Sequence, residues 1–295
     1  MRSSDIPTTP ERGRTKVPDR AVAAVGQGGP TIALRDVMKR FRTSSGDFYV
    51  AVHDLTFDVG AGEFCAIVGP TGSGKSTTLN LIAGLDTPSR GQVLVLGQPV
   101  AGPNAGVGYM FQTDAVFPWK NVLANVATGP LYRGARREEA ARRAREWVGR
   151  VGLAGFGDRF PSQLSGGMRK RVALAQTLIN EPAVLLMDEP FASLDVQTRT
   201  MMENELLELW SGTSASVVFV THDLEEAIAL ADRVLVFTAA PATLKRSYEI
   251  DLPRPRNVTE IRFDPRFTRL YEHIWQDLRD EAVIAYERSL QQVRS

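Results

Sequence analysis

The order of apolar and polar positions divides the first third of the chain into short elements. Alternating β-branched and aromatic residues are typical of strands, and a short apolar run that stops at glycine is typical of a strand buried on both faces. A pattern with helical spacing follows that glycine. We therefore predict strands at 31–37, 47–59, 63–68, 92–96 and 107–111, and a helix at 75–83.

The remaining chain reads as helices followed by an alternation of helices and strands. Residues 120–160 are rich in Ala, Arg and Glu and predict helices. The alternation then predicts helices at 166–180, 196–211 and 223–231, and strands at 183–188, 216–221 and 233–237. Such alternation favours an α/β fold with a mostly parallel sheet flanked by helices. Leu270, Ile274 and Leu278 recur every four residues, which predicts one buried face of a helical segment near the C-terminus.

Composition narrows the class of protein without assigning a function. The 295 residues are 43% hydrophobic and 23% charged, which is ordinary for one large globular domain with a small appendage. The formal net charge of +1 gives no argument for nucleic-acid binding. The single cysteine, Cys65, excludes an internal disulfide and lies in a predicted core strand. We expect residues 1–30 to be a disordered tail without an export signal, and we find no apolar run of about 18 residues that could cross a bilayer.

A phosphate-binding loop follows the strand at 63–68. Residues 69–76 fit the pattern G-x-x-x-x-G-K-[ST], in which backbone N–H groups converge on phosphate oxygens at the start of a helix. Lys75 is predicted to reach the β- and γ-phosphates, and the Ser76 hydroxyl to bind Mg²⁺. The predicted nucleotide-binding residues here are Gly69, Pro70, Thr71, Gly72, Ser73, Gly74, Lys75, Ser76 and Thr77.

Two acids close the apolar strand at 183–188, where ligands gather in a parallel α/β sheet. Asp188 is predicted to hold Mg²⁺, and Glu189 to accept a proton from the attacking water. His222 follows another apolar strand. From its position alone, it is either a structural histidine or a contact of the γ-phosphate.

Leu164-Ser165-Gly166-Gly167-Met168 makes the resemblance specific. Together with the phosphate-binding loop, Gln112, the two acids, Asp195 and His222, in this order, it resembles the ATP-binding cassette (ABC) ATPase family over residues 31–253. The resemblance implies a P-loop NTPase fold of the ABC type, with an antiparallel β subdomain and a helical subdomain at about 113–165. Residues 254–295 are left as a C-terminal helical extension.

The resemblance also implies roles for residues outside the phosphate-binding loop. ATP is expected to lie between this loop of one subunit and Ser165, Gly166 and Gly167 of a second, in a head-to-tail homodimer. Gln112 is expected to bind Mg²⁺ and sense the water, Asp195 to connect the two sites, and His222 to contact the γ-phosphate with a catalytic role. Phe41 is the expected adenine-stacking residue, although an aromatic side chain here could instead pack in the core, with Phe48 and Tyr49 nearby.

One position departs from the family, and several stretches point to a branch of it. Met168 stands where most members have Gln, and methionine cannot make an amide hydrogen bond. The chain resembles the nitrate/sulfonate/taurine importer branch at several places, among them Met168, Phe117-Pro118-Trp119 and the segment 220–227. Ala240-Pro241-Ala242 differs from the Arg-Pro-Gly that this branch usually has.

The expected protein is the ATP-binding and ATP-hydrolysing subunit of a multi-subunit importer. Its expected partners are a transmembrane permease and a solute-binding protein, with ATP and Mg²⁺ as ligands and no nucleic acid. It would lie peripherally at the cytoplasmic face of the plasma membrane. The alternatives are a soluble ABC-type ATPase acting on nucleic acid or ribosomes, and a module that binds ATP without hydrolysing it.

Overall fold

The computed structural model describes residues 29–44 and 46–294, without the side chains of Ser289 and of residues beyond 290. All but the last two residues of the predicted disordered tail therefore lie outside the described part. The strands are β1 (Ile32–Arg42), β2 (Phe48–Val59), β3 (Phe64–Val68), β4 (Arg90–Val95), β5 (Gln98–Pro99), β6 (Val107–Met110), β7 (Val184–Asp188), β8 (Ser216–Val220), β9 (Arg233–Phe237) and β10 (Leu244–Glu249). The α-helices are α1 (Lys75–Ala83), α2 (Val122–Val126), α3 (Thr128–Tyr132), α4 (Arg137–Arg150), α5 (Gly166–Leu178), α6 (Val196–Ser211), α7 (Leu224–Leu230), α8 (Val258–Ile261) and α9 (Pro265–Arg294).

The strands form two sheets. The larger has the order β10-β9-β3-β8-β7-β6 and is parallel except for β10, which runs antiparallel to β9. The smaller is antiparallel, with the order β2-β1-β4-β5. Both sheets confirm the predicted α/β class with an antiparallel β part.

The central strand β3 explains why a short apolar run can bury both faces. Side chains alternate across a strand, and here Phe64, Ala66 and Val68 pack into one apolar cluster. Cys65 and Ile67 pack into a second cluster on the other side of the sheet. All five residues are buried, so the carboxyl end of β3 is held firmly where the phosphate-binding loop begins.

Two strands and the detail of one helical region differ from the sequence prediction. β10 was not predicted because its Leu-Lys-Arg-Ser-Tyr-Glu sequence is half-exposed at the edge of the sheet, and β5 has only two residues. Residues 120–160 form three separate helices, because Ala127 separates α2 from α3 and residues 133–136 separate α3 from α4. Ile274 on α9 is buried, with Leu270 and Leu278 packed against the same cluster, which confirms their shared face.

None of the helices within the described residues combines the length and the apolar character that a membrane crossing requires.

Candidate functional site

The phosphate-binding loop has a backbone that needs glycine. Gly72 and Gly74 both have φ near +78°, in the left-handed region where other residues are strained. A Cβ on Gly74 would also lie 2.7 Å from the carbonyl oxygen of Ala51. Any side chain here would therefore push the loop away from β2. Gly74 immediately precedes α1, whose N-terminal dipole points into the same loop.

The Lys75 ammonium lies beneath this loop. Its Nζ donates to the carbonyl oxygens of Gly69 and Pro70, both at 2.9 Å. Burial lowers the pKa of Lys75, and the carboxylates of Glu189 and Asp188 act in the opposite direction. The lysine is thus a charged donor held by loop carbonyls and available to a phosphate group.

Ser76 and Asp188 meet where α1 begins and β7 ends. The Ser76 hydroxyl donates to Oδ1 of Asp188 at 3.0 Å. Burial raises the pKa of Asp188, and the bond from Ser76 lowers it. Hydroxyl and carboxylate oxygens are the hard ligands that Mg²⁺ prefers, so this pair has the right donor chemistry for that ion.

Glu189 has a strained backbone and a polar side-chain environment. Its φ is +43°, and its N–H donates to the carbonyl oxygen of Val220 at 2.8 Å, which fixes the turn after β7. One carboxylate oxygen lies 3.1 Å from Nδ1 of His222 and 3.4 Å from Nε2 of Gln112. The structure therefore brings together three residues that are far apart in the sequence.

Lys75, Ser76, Gln112, Glu189 and His222 open into one cleft of about 610 Å³, a size suited to a small-molecule ligand. Asp188 is not a lining residue and adjoins the cleft through its bond with Ser76. The lining residues are Phe41, Tyr49, Ala51, Thr71, Gly72, Ser73, Gly74, Lys75, Ser76, Thr77, Gln112, Glu189 and His222.

Two aromatic rings form one wall of the cleft. Phe41 and Tyr49 are direct partners in the antiparallel pairing of β1 and β2, and both are exposed. The alternative that Phe41 packs in the core is therefore wrong. Phe48 is also exposed but lies under Arg40 rather than in the cleft. Tyr49 is a lining residue that the sequence did not predict, because its position opposite Phe41 depends on the register of β1 and β2.

Ser165, Gly166 and Gly167 lie elsewhere. Ser165 caps α5 by accepting a hydrogen bond from the Met168 N–H at 3.3 Å, and the two glycines form the first turn of that helix. None of the three lines the cleft. The N-terminus of α5 is therefore a helix start that lies apart from the phosphate-binding loop of its own chain.

Asp195 plays the same local part at α6. Its carboxylate accepts a hydrogen bond from the Thr198 N–H at 3.0 Å, and bonds of this kind lower the pKa of Asp195. The side chain is exposed and does not line the cleft.

Comparison with known proteins identifies the fold and its chemistry. The family model for "ABC transporter" matches residues 52–192. An uncharacterized ABC transporter ATP-binding protein of Methanocaldococcus jannaschii is 47% identical over 74% of this chain and 82% of its own length. The chain belongs to the ABC transporter ATP-binding family. It is therefore an ABC ATPase that binds and hydrolyses ATP.

Other relatives of this ABC protein include import subunits and a dimer. The nitrate import ATP-binding protein of Synechocystis is 43% identical over 78% of this chain and 88% of that protein. A taurine import ATP-binding protein of Pseudomonas savastanoi is 44% identical over 75% and 86%. A dimeric ATP-binding cassette in a post-hydrolysis state, bound to ADP and Pi, superposes with a TM-score of 0.67 at 29% identity, covering 75% of this chain and all of that one.

A buried lysine connects two motifs of the ABC chain that sequence reading treated separately. Lys170, on α5, is 3% exposed, and its Nζ donates to the backbone oxygen of Gln112 at 2.9 Å. The same Nζ forms an ion pair with Oδ1 of Asp114, also at 2.9 Å. Arg169 also contacts Asp114, at 3.2 Å. Since Lys170 and Arg169 follow the Ser165–Gly167 turn, the first turns of α5 are bonded directly to the loop that carries Gln112 and Asp114.

The half-buried side chain of Met168 packs against the apolar cluster that contains Phe64, and its backbone N–H donates to the Ser165 hydroxyl. Its thioether thus has an apolar environment in which an amide would gain little.

A second groove, of about 340 Å³, lies beside the Gln112 loop of the ABC chain. Its wall includes Tyr109 and Phe111, whose rings stack at 4.1 Å, together with Phe117. Tyr132 lines the groove with 85% of its surface exposed. The groove therefore presents aromatic side chains at the surface of the described chain.

Proposed function

We propose that this chain is the ATP-hydrolysing subunit of a multi-subunit importer, bound to a separate permease at the cytoplasmic face of the plasma membrane. The main support is the position of the α5 turn at 165–167, which lies outside the cleft that the phosphate-binding loop of the same chain lines. Import ATP-binding relatives of nitrate and taurine systems support the direction of transport and a small anionic or sulfonate-like solute. A solute-binding protein would deliver that solute.

The cleft residues have distinct proposed roles in ATP binding. The loop backbone at 69–74, Lys75 and Thr77 bind the phosphates, and Phe41 stacks on adenine. Ser76, Gln112 and Asp188 hold Mg²⁺, which supplies charge neutralisation on the phosphates when bound. The part of the chain that the structure describes has no cluster of three or more His, Cys, Asp or Glu suited to a metal ion. The oxygen-rich set of Ser76, Gln112 and Asp188 fits an ion that also takes ligands from ATP.

Hydrolysis depends on the Glu189 carboxylate. Glu189 accepts the proton of the attacking water, because its carboxylate opens into the cleft. His222 and Gln112 hold this carboxylate by the contacts of 3.1 and 3.4 Å, which restricts its rotation toward other positions. His222 also contacts the γ-phosphate. The strained turn at Glu189 fixes the Glu189 carboxylate, and with it the contact to His222, relative to β7.

A second copy of the chain completes each ATP site. The Ser165 hydroxyl and the N–H groups of Gly166 and Gly167 would reach the phosphates bound by the cleft of the other copy, in a head-to-tail homodimer. Asp195 lies exposed at the start of α6, where it would communicate between the two sites. ATP then closes the dimer, and hydrolysis releases it.

The aromatic groove lined by Tyr132 is the proposed contact for the permease, and two variants test it. We would purify tagged Glu189→Gln protein with Mg-ATP in mild detergent, alone and combined with Tyr132→Arg. Recovery of a polytopic membrane protein with Glu189→Gln, lost on adding Tyr132→Arg, is the expected result. Tyr286→Arg is the matched control, because Tyr286 is also exposed but lies on α9. Recovery of ribosomes or nucleic acid instead would support the soluble ATPase and contradict this proposal.

A further inference from the structure

Arg199, near the start of α6, joins the Asp195 turn to the His222 turn. One guanidinium nitrogen donates to the carbonyl oxygen of Leu194, the residue before Asp195, at 3.1 Å. Another donates to Oδ2 of Asp223, the residue after His222, also at 3.1 Å. One side chain therefore fixes the distance between two turns that are both expected at the ATP site.

Further side-chain hydrogen bonds hold Thr221 and Asp223, the residues on either side of His222. The Thr221 hydroxyl donates to the buried carboxylate of Glu226 and accepts the Asp223 N–H at 3.0 Å. The second carboxylate oxygen of Asp223 caps α7 by accepting the N–H groups of Glu225 and Glu226. His222 thus projects toward Glu189 from a backbone fixed at both ends by side chains.

The C-terminal segment supplies a second arginine, Arg262, which contacts both α6 and α7. Glu203 on α6 is fully buried, and neither carboxylate oxygen has a hydrogen-bond partner. Arg262, which follows α8, places one guanidinium nitrogen 3.8 Å from Glu203 and another 3.1 Å from Glu225 on α7. α8 is anchored on α6 because the Val258 N–H donates to the Asn204 side chain at 2.9 Å. Arg262 therefore joins α6 to α7 from outside the nucleotide cleft.

We propose that Arg262 is a positioning residue for ATP hydrolysis, which acts by holding the α6–α7 junction so that Arg199 and Asp223 fix the orientation of His222. This inference rests on the proposed role of His222 at the γ-phosphate. Arg262 does not line the cleft, so ATP binding by the phosphate-binding loop does not depend on it. Its loss should affect the hydrolysis step and leave nucleotide affinity unchanged.

The kinetic test compares Arg262→Ala, Arg262→Lys and Arg254→Ala with the wild type. Arg254→Ala is the matched control, because Arg254 also contacts α6 and α7 from the C-terminal segment. It lies over the Trp210 ring and donates to the Leu230 carbonyl oxygen, at the ends of the two helices that are opposite to the His222 turn. Since small misplacements of catalytic groups are costly, kcat for Arg262→Ala should fall about tenfold with KM for ATP within about twofold. Arg262→Lys should recover part of the loss.

A spectroscopic measurement tests the same inference without relying on turnover. The chain has three histidines, so the ring-proton resonances can be assigned by NMR with His222→Asn. The His222 resonance should move in Arg262→Ala and stay in place in Arg254→Ala. An unmoved His222 resonance in Arg262→Ala, or a kcat equal to that of Arg254→Ala, would overturn the positioning role. If the wild-type protein had no ATPase activity, the proposed function would be contradicted. The NMR comparison would still decide the role of Arg262.

Discussion

Gly166 tests whether the α5 turn serves a ligand outside its own chain. A Cβ built on Gly166 meets two side-chain atoms at ordinary van der Waals distance, Leu194 Cδ2 at 3.8 Å and a guanidinium nitrogen of Arg169 at 4.0 Å. The residue is helical and has no positive φ, so nothing within this chain requires glycine there. Replacing it with alanine should stabilise the fold by about 0.5–1 kcal/mol, because alanine favours helix and restricts the unfolded chain. For a chain of this size that corresponds to a Tm about 1–3 °C higher.

Activity should change in the opposite direction. If the Gly166 N–H approaches a phosphate held by a second subunit, a methyl group there blocks the approach. Loss of such a donor costs about 10²-fold in turnover, so we expect Gly166→Ala to lower ATPase activity by at least about tenfold. Gly149→Ala is the control, since Gly149 is also helical and its Cβ would meet nothing within 4 Å. Thermal melting and phosphate release would be measured for both. Wild-type ATPase activity in Gly166→Ala would show that no phosphate approaches the Gly166 N–H.

Three further predictions concern buried groups. Lys170→Met should lower the free energy of unfolding by about 1–3 kcal/mol in denaturant titrations, because the Gln112 oxygen loses its donor and Asp114 loses an ion-pair partner. An unchanged midpoint would contradict this. Burial raises the pKa of Glu203 from 4.5 to about 7, so between these pH values the folded state holds more protons than the unfolded state. The folded state therefore loses stability as pH rises across that window. Glu203→Gln should therefore gain stability relative to the wild type from about pH 4.5 to 7, by about 3 kcal/mol in total, and an advantage independent of pH would contradict the shift. Burial also raises the pKa of the Cys65 thiol, so this cysteine should react with a disulfide reagent only on unfolding, and rapid reaction in the native state would contradict its burial.

Local sequence patterns were enough for the elements that carry phosphate chemistry. The glycine-rich loop, the apolar strands before it and before Asp188, and the helix after it all follow from short-range rules of periodicity and backbone freedom. The positions of Lys75, Ser76 and Glu189 at strand or helix ends then placed them at one edge of the parallel sheet.

Features set by tertiary contacts were beyond that reasoning. Tyr49 enters the cleft because of its register with Phe41, which depends on shifts along β1 that no local pattern indicates. β10 is polar and forms only because the edge of β9 is available. The role of Arg262 depends on where a C-terminal segment docks, more than 30 residues beyond His222.

A mixing experiment tests most directly whether two chains build each ATP site. Lys75→Ala damages the phosphate-binding loop and Gly166→Ala damages the α5 turn, so each homodimer has two defective sites. A mixed dimer has one site with both lesions and one intact site. With random pairing, an equal mixture should therefore recover about a quarter of wild-type ATPase activity. Activity no greater than the average of the two separate variants would contradict the composite site and, with it, the account of how this chain uses ATP.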